Sequence, residues 1–230
     1  MKINILYWGD KKERLANTNL SWHYLKNFSR YCIEHGCLVE PFLFDFSEIQ
    51  VLDDAIHIPY PNGEYKRAEK INKVFEYHSE KEEFIGICDS DVVIREEDYE
   101  SMKYFITILK HKNFYVFKLD DLISLKGVDF ENKQINFGEL ELKERNFEPD
   151  LGALFFIHNS LMKEVDGFDE RFTVWGGEDN HTAYKLLSKG YNKKLLPLKP
   201  IHLLHEHALI KEDIKQYQKQ VDMLKEYAKK

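Results

Sequence analysis

The sequence predicts an α/β domain built on one largely parallel sheet. Short apolar runs alternate with stretches in helical register, and the runs stop at turn-forming or acidic residues. The chain has 230 residues, 43% of them hydrophobic, which suits a single domain with one substantial core.

The elements follow in order. "INILYW" (Ile3 to Trp8) reads as a buried strand. From Asn17 to His35, helical spacing runs through Leu20, Tyr24, Phe28 and Tyr31, with Gly36 as the stop. "LVEPFLF" (Leu38 to Phe44) is a second strand and Ala55 to Ile58 a weaker third. Glu64 to His78 is helical, with Ala68, Ile71, Val74 and Phe75 on one face. "FIGIC" (Phe84 to Cys88) is a fully apolar strand, Glu97 to Lys110 a helix, and "FYVFKL" (Phe114 to Leu119) another strand. Lys126 to Pro149 is polar and irregular and predicts only weak strand pieces. "ALFFI" (Ala153 to Ile157) is a strand leading into a short helix that Asn159 would cap. Glu178 to Ser188 is a helix ending at Gly190, and Ile201 to Leu204 a strand. The tail carries Ile210, Ile214, Tyr217, Val221, Leu224 and Ala228 on one face of an amphipathic helix. That helix could dock on the domain or pair with another chain. The division is one domain over 1–208, with halves of about 1–118 and 119–208, followed by the helix over 209–230.

Composition narrows the function. Charged residues make up 32%, and no long segment is depleted of apolar residues, so the chain should fold throughout. A net charge of −7 argues against nucleic acid as a main partner but not against a phosphorylated ligand at a local site. The three cysteines, Cys32, Cys37 and Cys88, show no paired metal spacing and read as free thiols in a reducing compartment. "MKINILYWGD" reads as a strand turning polar, not as a signal peptide, and no apolar run approaches the ~18 residues of a membrane span. A cytoplasmic location is the expectation.

Three constellations carry chemistry. "FIGICDSDVVI" delivers Asp89 and Asp91 at the carboxyl end of a buried strand, where open α/β sheets bind ligands. Asp-x-Asp alone arises by chance about once in a chain this long, and short acids also end strands by accepting backbone hydrogen bonds. In this position, however, one carboxylate can bind a divalent cation shared with substrate phosphates while the other meets a sugar hydroxyl. Next, "GFDERFTVWGGEDNHTAYKLLSKGY" sets Trp175, Gly176 and Gly177 before Glu178 and Asp179 at a helix start. Acids in a first turn complement the helix dipole. The Trp-Gly-Gly before them suggests in addition a flat face for a sugar ring and a backbone that approaches or closes over a ligand. Finally, "IHLLHEH" clusters His202, His205 and His207. Imidazole beside carboxylate and phosphate oxygens suits Mn²⁺ better than Mg²⁺. In a strand His205 and His207 share a face; in a turn His202 and His205 converge.

These pieces, in this order, resemble the GT-A-fold glycosyltransferases, and most closely the β-1,4-galactosyltransferase family and its bacterial relatives. "YKRAEKINKVF" (Tyr65 to Phe75) is similar to that family's Phe-x-Arg-Ala-x-x-x-Asn segment and "CDSDVV" to its Asp-Val-Asp stretch. "LGALFFIHNSLMKEVDGFDERFTVWGGEDN" resembles its Gly-Gly-Val, Asn-Gly-Phe and Trp-Gly-Gly-Glu-Asp block, the most specific part, and "HLLH" stands where the family has Met-x-x-His. The likeness runs from about Tyr65 to His207. It implies a Rossmann-like GT-A domain with a mostly parallel mixed sheet flanked by helices. It also implies an inverting, metal-dependent transfer of a hexose or N-acetylhexosamine from a UDP-sugar to a glycan or glycolipid, with bacterial surface-polysaccharide synthesis as the expected setting.

The resemblance assigns roles. Asp91 and His205 would bind the metal, with His202 in place of the family's Met. Arg67, Asp89, Asp91, Gly152 and Trp175 would contact the donor. Trp175, Gly177, Glu178 and Asp179 would face the acceptor, with Asp179 as catalytic base. Asp10 and Asp45 match the nucleotide-binding positions only loosely. Asn180 and His181 replace the family's third acid, and no counterpart of the animal members' membrane anchor is expected. The competing readings are a sugar-nucleotide- or glycan-binding module without turnover, and a metal-dependent nucleotidyltransferase. A glycoside hydrolase fits less well, because it needs two carboxylates flanking one bond, and Glu178 and Asp179 are neighbours.

Overall fold

The computed structural model describes residues 1–7, 12–61, 66–145, 150–173, 176–204 and 222, except for the side chains of residues 12 and 13. The elements are β1 (Lys2–Tyr7), α1 (Lys12–Glu34), β2 (Glu40–Asp45), β3 (Ile56–His57), α2 (Arg67–Tyr77), β4 (Phe84–Asp89) and β5 (Val92–Val93). A 3-10 turn then leads into α3 (Tyr99–Thr107), followed by β6 (Asn113–Phe117), β7 (Asp120–Leu122), β8 (Val128–Asp129), β9 (Gln134–Ile135) and β10 (Leu142–Glu144). The chain continues through β11 (Leu154–His158), α4 (Asn159–Glu164), α5 (Glu178–Ser188), β12 (Asn192–Leu196) and β13 (Ile201–His202).

A seven-stranded sheet has the order β12-β6-β11-β4-β1-β2-β3. All its pairings are parallel except those of β11, which runs antiparallel to both β4 and β6. The excursion after β6 explains this reversal. β6 ends at the sheet's carboxyl edge, and the chain then builds β7 and β10 of a second, four-stranded sheet, ordered β10-β7-β13-β5. It re-enters from that edge, so β11 must run back.

Alternation along the strands sends side chains to two cores. Ile3, Ile5 and Tyr7 pack with Leu25 and Phe28 of α1 and Met102 of α3. Leu6, Phe44, Ile85 and Ile87 pack with Ile71 and Val74 of α2 and Ala183 and Leu186 of α5. A third cluster joins α1, through Leu20 and Tyr24, to Val93, Leu122 and Ile201 of the second sheet and to Leu203 just after it.

Most of the expected elements are present, with adjusted bounds; α1 starts five residues earlier than the spacing suggested. Asn159 does not cap α4. It is the first helical residue, after His158, and no side chain caps that end. Its amide instead donates to the carbonyls of His78 and Lys81, and its Oδ1 accepts from the N–H of Glu83, pinning the turn that precedes β4. The three cysteines are free thiols, and burial pushes Cys32 up to about 12. The C-terminal helix expected over 209–230 lies outside the described residues, apart from Asp222. No described helix is long and apolar enough to cross a membrane.

Candidate active site

Arg67, the first residue of α2, is 4% exposed and reaches across the carboxyl edge of the sheet. Its Nε donates to Asp89 Oδ1 at 3.2 Å, its Nη1 to Asp179 Oδ1 at 2.7 Å, and its Nη2 to the Gly152 carbonyl at 3.0 Å. Glu178 Oε1 lies 3.5 Å from the same Nη1. One guanidinium thus gathers the end of β4, the approach to β11 and the start of α5. A planar fork with five donors can do this, whereas an ammonium presents a single point of charge.

The acids at the start of α5 are held by a backbone that glycine alone adopts readily. Gly176 and Gly177 both have φ of +98°, and the Gly177 carbonyl accepts the first helical bond, from the N–H of His181 at 2.9 Å. Glu178 is buried, at 3% exposure, and turned toward Arg67, which leaves little carboxylate surface for the acceptor contact that the resemblance implies. Asp179 keeps 24% of its side chain open, and no described residue bonds its second oxygen. Burial pushes the Asp179 carboxyl above the ordinary range, against the opposing pull of Arg67. Asp89 is raised for the same reason, with Arg67 opposing and the Asp91 charge adding to the rise.

Asp89 and Asp91 face different partners. Asp89 ends β4 and belongs to Arg67. Asp91, in the turn after it, lies beside the second sheet, where its carbonyl accepts from the N–H of Leu203 at 2.7 Å. His202 of β13 sits between two carboxylates: Nε2 is 3.6 Å from Asp91 Oδ1, and Nδ1 is 3.1 Å from Asp121 Oδ1. Asp121 is in turn held by Arg145 through Nε and Nη2. Burial alone would raise the Asp121 carboxyl, but the bonds from His202 and Arg145 outweigh it and hold the group well below the usual carboxylate range.

Among the described residues, no group of three or more His, Cys, Asp or Glu could hold a metal ion. The pair Asp91 and His202 offers one carboxylate and one imidazole nitrogen facing each other. That donor set fits a divalent cation whose remaining ligands are substrate phosphates and water. Trp175, His205 and His207 lie outside the described residues.

Two further contacts fix the site's frame. Asn72, five residues after Arg67 on α2, clasps the backbone of Phe168: its Nδ2 donates to the carbonyl at 2.9 Å and its Oδ1 accepts from the N–H at 2.8 Å. A Cβ at the preceding Gly167 would meet Asn72 Oδ1 at 2.5 Å, so the close fit requires glycine. Asp45, at the end of β2, is fully buried and accepts from the N–H groups of Ser47, Val51 and Leu52. Its carboxylate holds the loop after β2. Asp10 lies outside the described residues.

Sequence reasoning missed Asp121 and Arg145 altogether and left Asn72 without a role. Asp121 sits on a three-residue strand and Arg145 in a polar segment, and neither position carries a periodic signal.

Comparison with known proteins agrees with this architecture. Residues 141–208, less than half of the chain, match the family model described as the N-terminal domain of galactosyltransferase. No curated protein matches by sequence. Among solved structures, the catalytic domain of Drosophila β1,4-galactosyltransferase 7 in complex with xylobiose superposes with a TM-score of 0.55 at 12% identity, covering 94% of this chain and 79% of that one. A variant of the same Drosophila enzyme with manganese, UDP-Gal and xylobiose gives 0.51 at 14% identity, over 84% of this chain and 64% of that one. The mannosyltransferase of Pyrobaculum calidifontis with GDP-Man and Mn²⁺ gives 0.55 at 14%, over 94% and 60%. The fold is that of the GT-A glycosyltransferases, and residues 141–208 are similar in sequence to the galactosyltransferase N-terminal domain.

Proposed function

We propose that the chain is an inverting, metal-dependent glycosyltransferase that moves a hexose or N-acetylhexosamine from a UDP-sugar to a hydroxyl of a glycan or glycolipid, in polysaccharide assembly. The observation that carries this reading is the Arg67 junction. It brings Asp89 of the Asp-Ser-Asp turn and Asp179 of the Gly-Gly-Glu-Asp turn to one guanidinium at the carboxyl edge of the sheet. Arg67 is then a positioning residue, since its Nε, Nη1 and Nη2 all bond protein acceptors.

In this reading Asp89 contacts the donor's ribose or sugar, and Gly152 lies beside it. Asp91 and His202 hold Mn²⁺, or Mg²⁺ in its place, with His205 assigned as a further ligand by the resemblance. Manganese in the Drosophila and Pyrobaculum structures supports this choice. When bound, the cation stabilises the negative charge that develops on the leaving diphosphate. The acceptor oxygen attacks the anomeric carbon from the face opposite the nucleotide, the bond from that carbon to the diphosphate oxygen breaks, and Asp179 takes the hydroxyl proton. Asp179 suits this role because it is anchored through one oxygen and keeps open surface at the other. By the resemblance, Trp175 and the glycine pair after it would cover the sugar and exclude water.

Product analysis tests the reading. Release of UDP, with the new linkage inverted at the anomeric carbon by NMR, is the expected result. Release of pyrophosphate would make the protein a nucleotidyltransferase, and tight nucleotide-sugar binding without any product would make it a binding module.

A further inference from the structure

The second sheet contributes something to the site that neither the resemblance nor the motifs assign. β13 lies between β7 and β5, with His202 registered against Asp121 on one side and Val92 on the other. Residues in register on neighbouring strands project to the same face of the sheet. His202 is therefore delivered beside Asp121, with Nδ1 3.1 Å from Asp121 Oδ1, within hydrogen-bonding distance. Neutral imidazole carries one N–H, so a donor at Nδ1 makes Nε2 the lone-pair nitrogen. That nitrogen is the one 3.6 Å from Asp91 Oδ1, too far for a hydrogen bond between them.

The carboxylate that sets this arrangement is itself fixed. Arg145 Nε lies 2.9 and 3.0 Å from the two oxygens of Asp121, and Nη2 lies 2.6 Å from Oδ1. Register again explains the contact. β10 pairs with β7 so that Lys143 stands opposite Asp121 and Glu144 opposite Asp120, which brings the next residue, Arg145, alongside. A planar guanidinium against both oxygens prevents the carboxylate from rotating away.

We infer that Asp121, clamped by Arg145, is a positioning residue that fixes the His202 tautomer and aims Nε2 at the Asp91 side of the cation site. This rests on the proposed assignment of Asp91 and His202 as metal ligands. Carboxylates that accept from a ligand histidine's second nitrogen raise its basicity and lock its ring, and their loss typically weakens metal affinity about 10- to 100-fold. The clamp also gives this chain a ready-oriented imidazole where the family it resembles places a methionine.

The experiment uses the whole chain labelled with ¹⁵N-histidine, and Mn²⁺ itself as the probe. Long-range ¹H–¹⁵N correlation on metal-free protein reports which ring nitrogen of His202 carries the proton, with His202→Ala identifying the signal. Titration followed by electron paramagnetic resonance gives the Mn²⁺ dissociation constant. The expected result is an Nδ1–H tautomer in the wild type. Asp121→Ala should lose that preference and bind Mn²⁺ about 10- to 100-fold more weakly. Asp121→Asn, which keeps an acceptor oxygen, should preserve the tautomer and recover part of the affinity, a rescue that a purely structural role would not produce. A wild-type His202 protonated at Nε2 overturns the inference. So does an Asp121→Ala protein, or an Asp121→Asn protein if the alanine variant does not fold, that shows no change in tautomer or affinity. In those cases the metal assignment still stands if His202→Ala impairs Mn²⁺ binding. A wild type that binds no Mn²⁺ removes the metal assignment and the inference together.

Discussion

Arg67 Nη1 donates to Asp179 Oδ1 at 2.7 Å, joining residues 112 positions apart in sequence. The same side chain bonds Asp89 and the Gly152 carbonyl, so this contact joins segments from both halves of the chain at the carboxyl edge of the sheet. An arginine buried to this degree and holding three acids is a point of high sensitivity, because removing it strands partly desolvated charges of like sign.

Arg67→Ala is therefore expected to lower stability by about 3–5 kcal/mol and to abolish turnover. Arg67→Lys restores a cation but not the fork. It should recover part of the stability while leaving turnover reduced by about 100-fold, because Asp179 and Asp89 are no longer aligned together. Urea unfolding of the two variants beside a nucleotide-release assay separates the effects.

Asp179→Asn is expected to cut transfer by about 10²- to 10⁴-fold while leaving donor affinity unchanged by calorimetry. The pH dependence follows from the raised carboxyl. The base works deprotonated, so activity is present above its pKa and lost as pH falls through it. Burial lifts that pKa, so the acid limb of the rate profile should lie above the ordinary carboxylate range. Loss of donor binding in Asp179→Asn would remove the base assignment.

Asn72→Ala removes both bonds to the Phe168 backbone and leaves its N–H and carbonyl to find other partners. A loss of about 1–3 kcal/mol is expected in urea unfolding. Asn72→Asp should not rescue it, because a carboxylate can accept from the Phe168 N–H but would face the Phe168 carbonyl and Glu170 where the amide now donates.

Acid should destabilise the fold through two buried histidines. His78, whose Nε2 donates to Asn4 Oδ1, and His181, stacked on Phe172, are each lowered by burial from 6.5 to about 4. The unfolded chain protonates these rings near 6.5, whereas the folded protein resists until about 4. Their contribution is complete above 6.5 and declines as pH falls toward 4, by on the order of 3 kcal/mol per histidine at most. Melting temperatures across that window, with His78→Gln as the comparison, should show a shallower decline in the variant.

The parts of this architecture visible in the sequence are those with strong local signals. α5 runs from Glu178 to Ser188 as its spacing implied, and the apolar run before Asp89 is the β4 strand. The direction of β11 was not visible, since apolar alternation does not encode strand polarity and the reversal depends on where the chain re-enters the sheet. Of the second sheet only the Ile201 strand and weak pieces after Lys126 were legible, for a related reason. Its strands are two or three residues long and are stabilised by non-local pairing, so Asp121, His202 and Arg145 come together without a periodic pattern to announce them. The Arg-Ala-x-x-x-Asn segment was recognised, but its logic is spatial: Arg67 gathers the acids, and Asn72 clasps the loop that leads to them.

The proposed reaction is metal-dependent sugar transfer at the Arg67 junction. Its most direct test is UDP release from a panel of UDP-sugars by the full chain with Mn²⁺, repeated with a chelator and with Asp179→Asn. The expected result is release from at least one donor, lost on chelation and strongly reduced in the variant. The claim would be contradicted if no UDP-sugar is bound or turned over, or if release continues undiminished with the chelator and in Asp179→Asn.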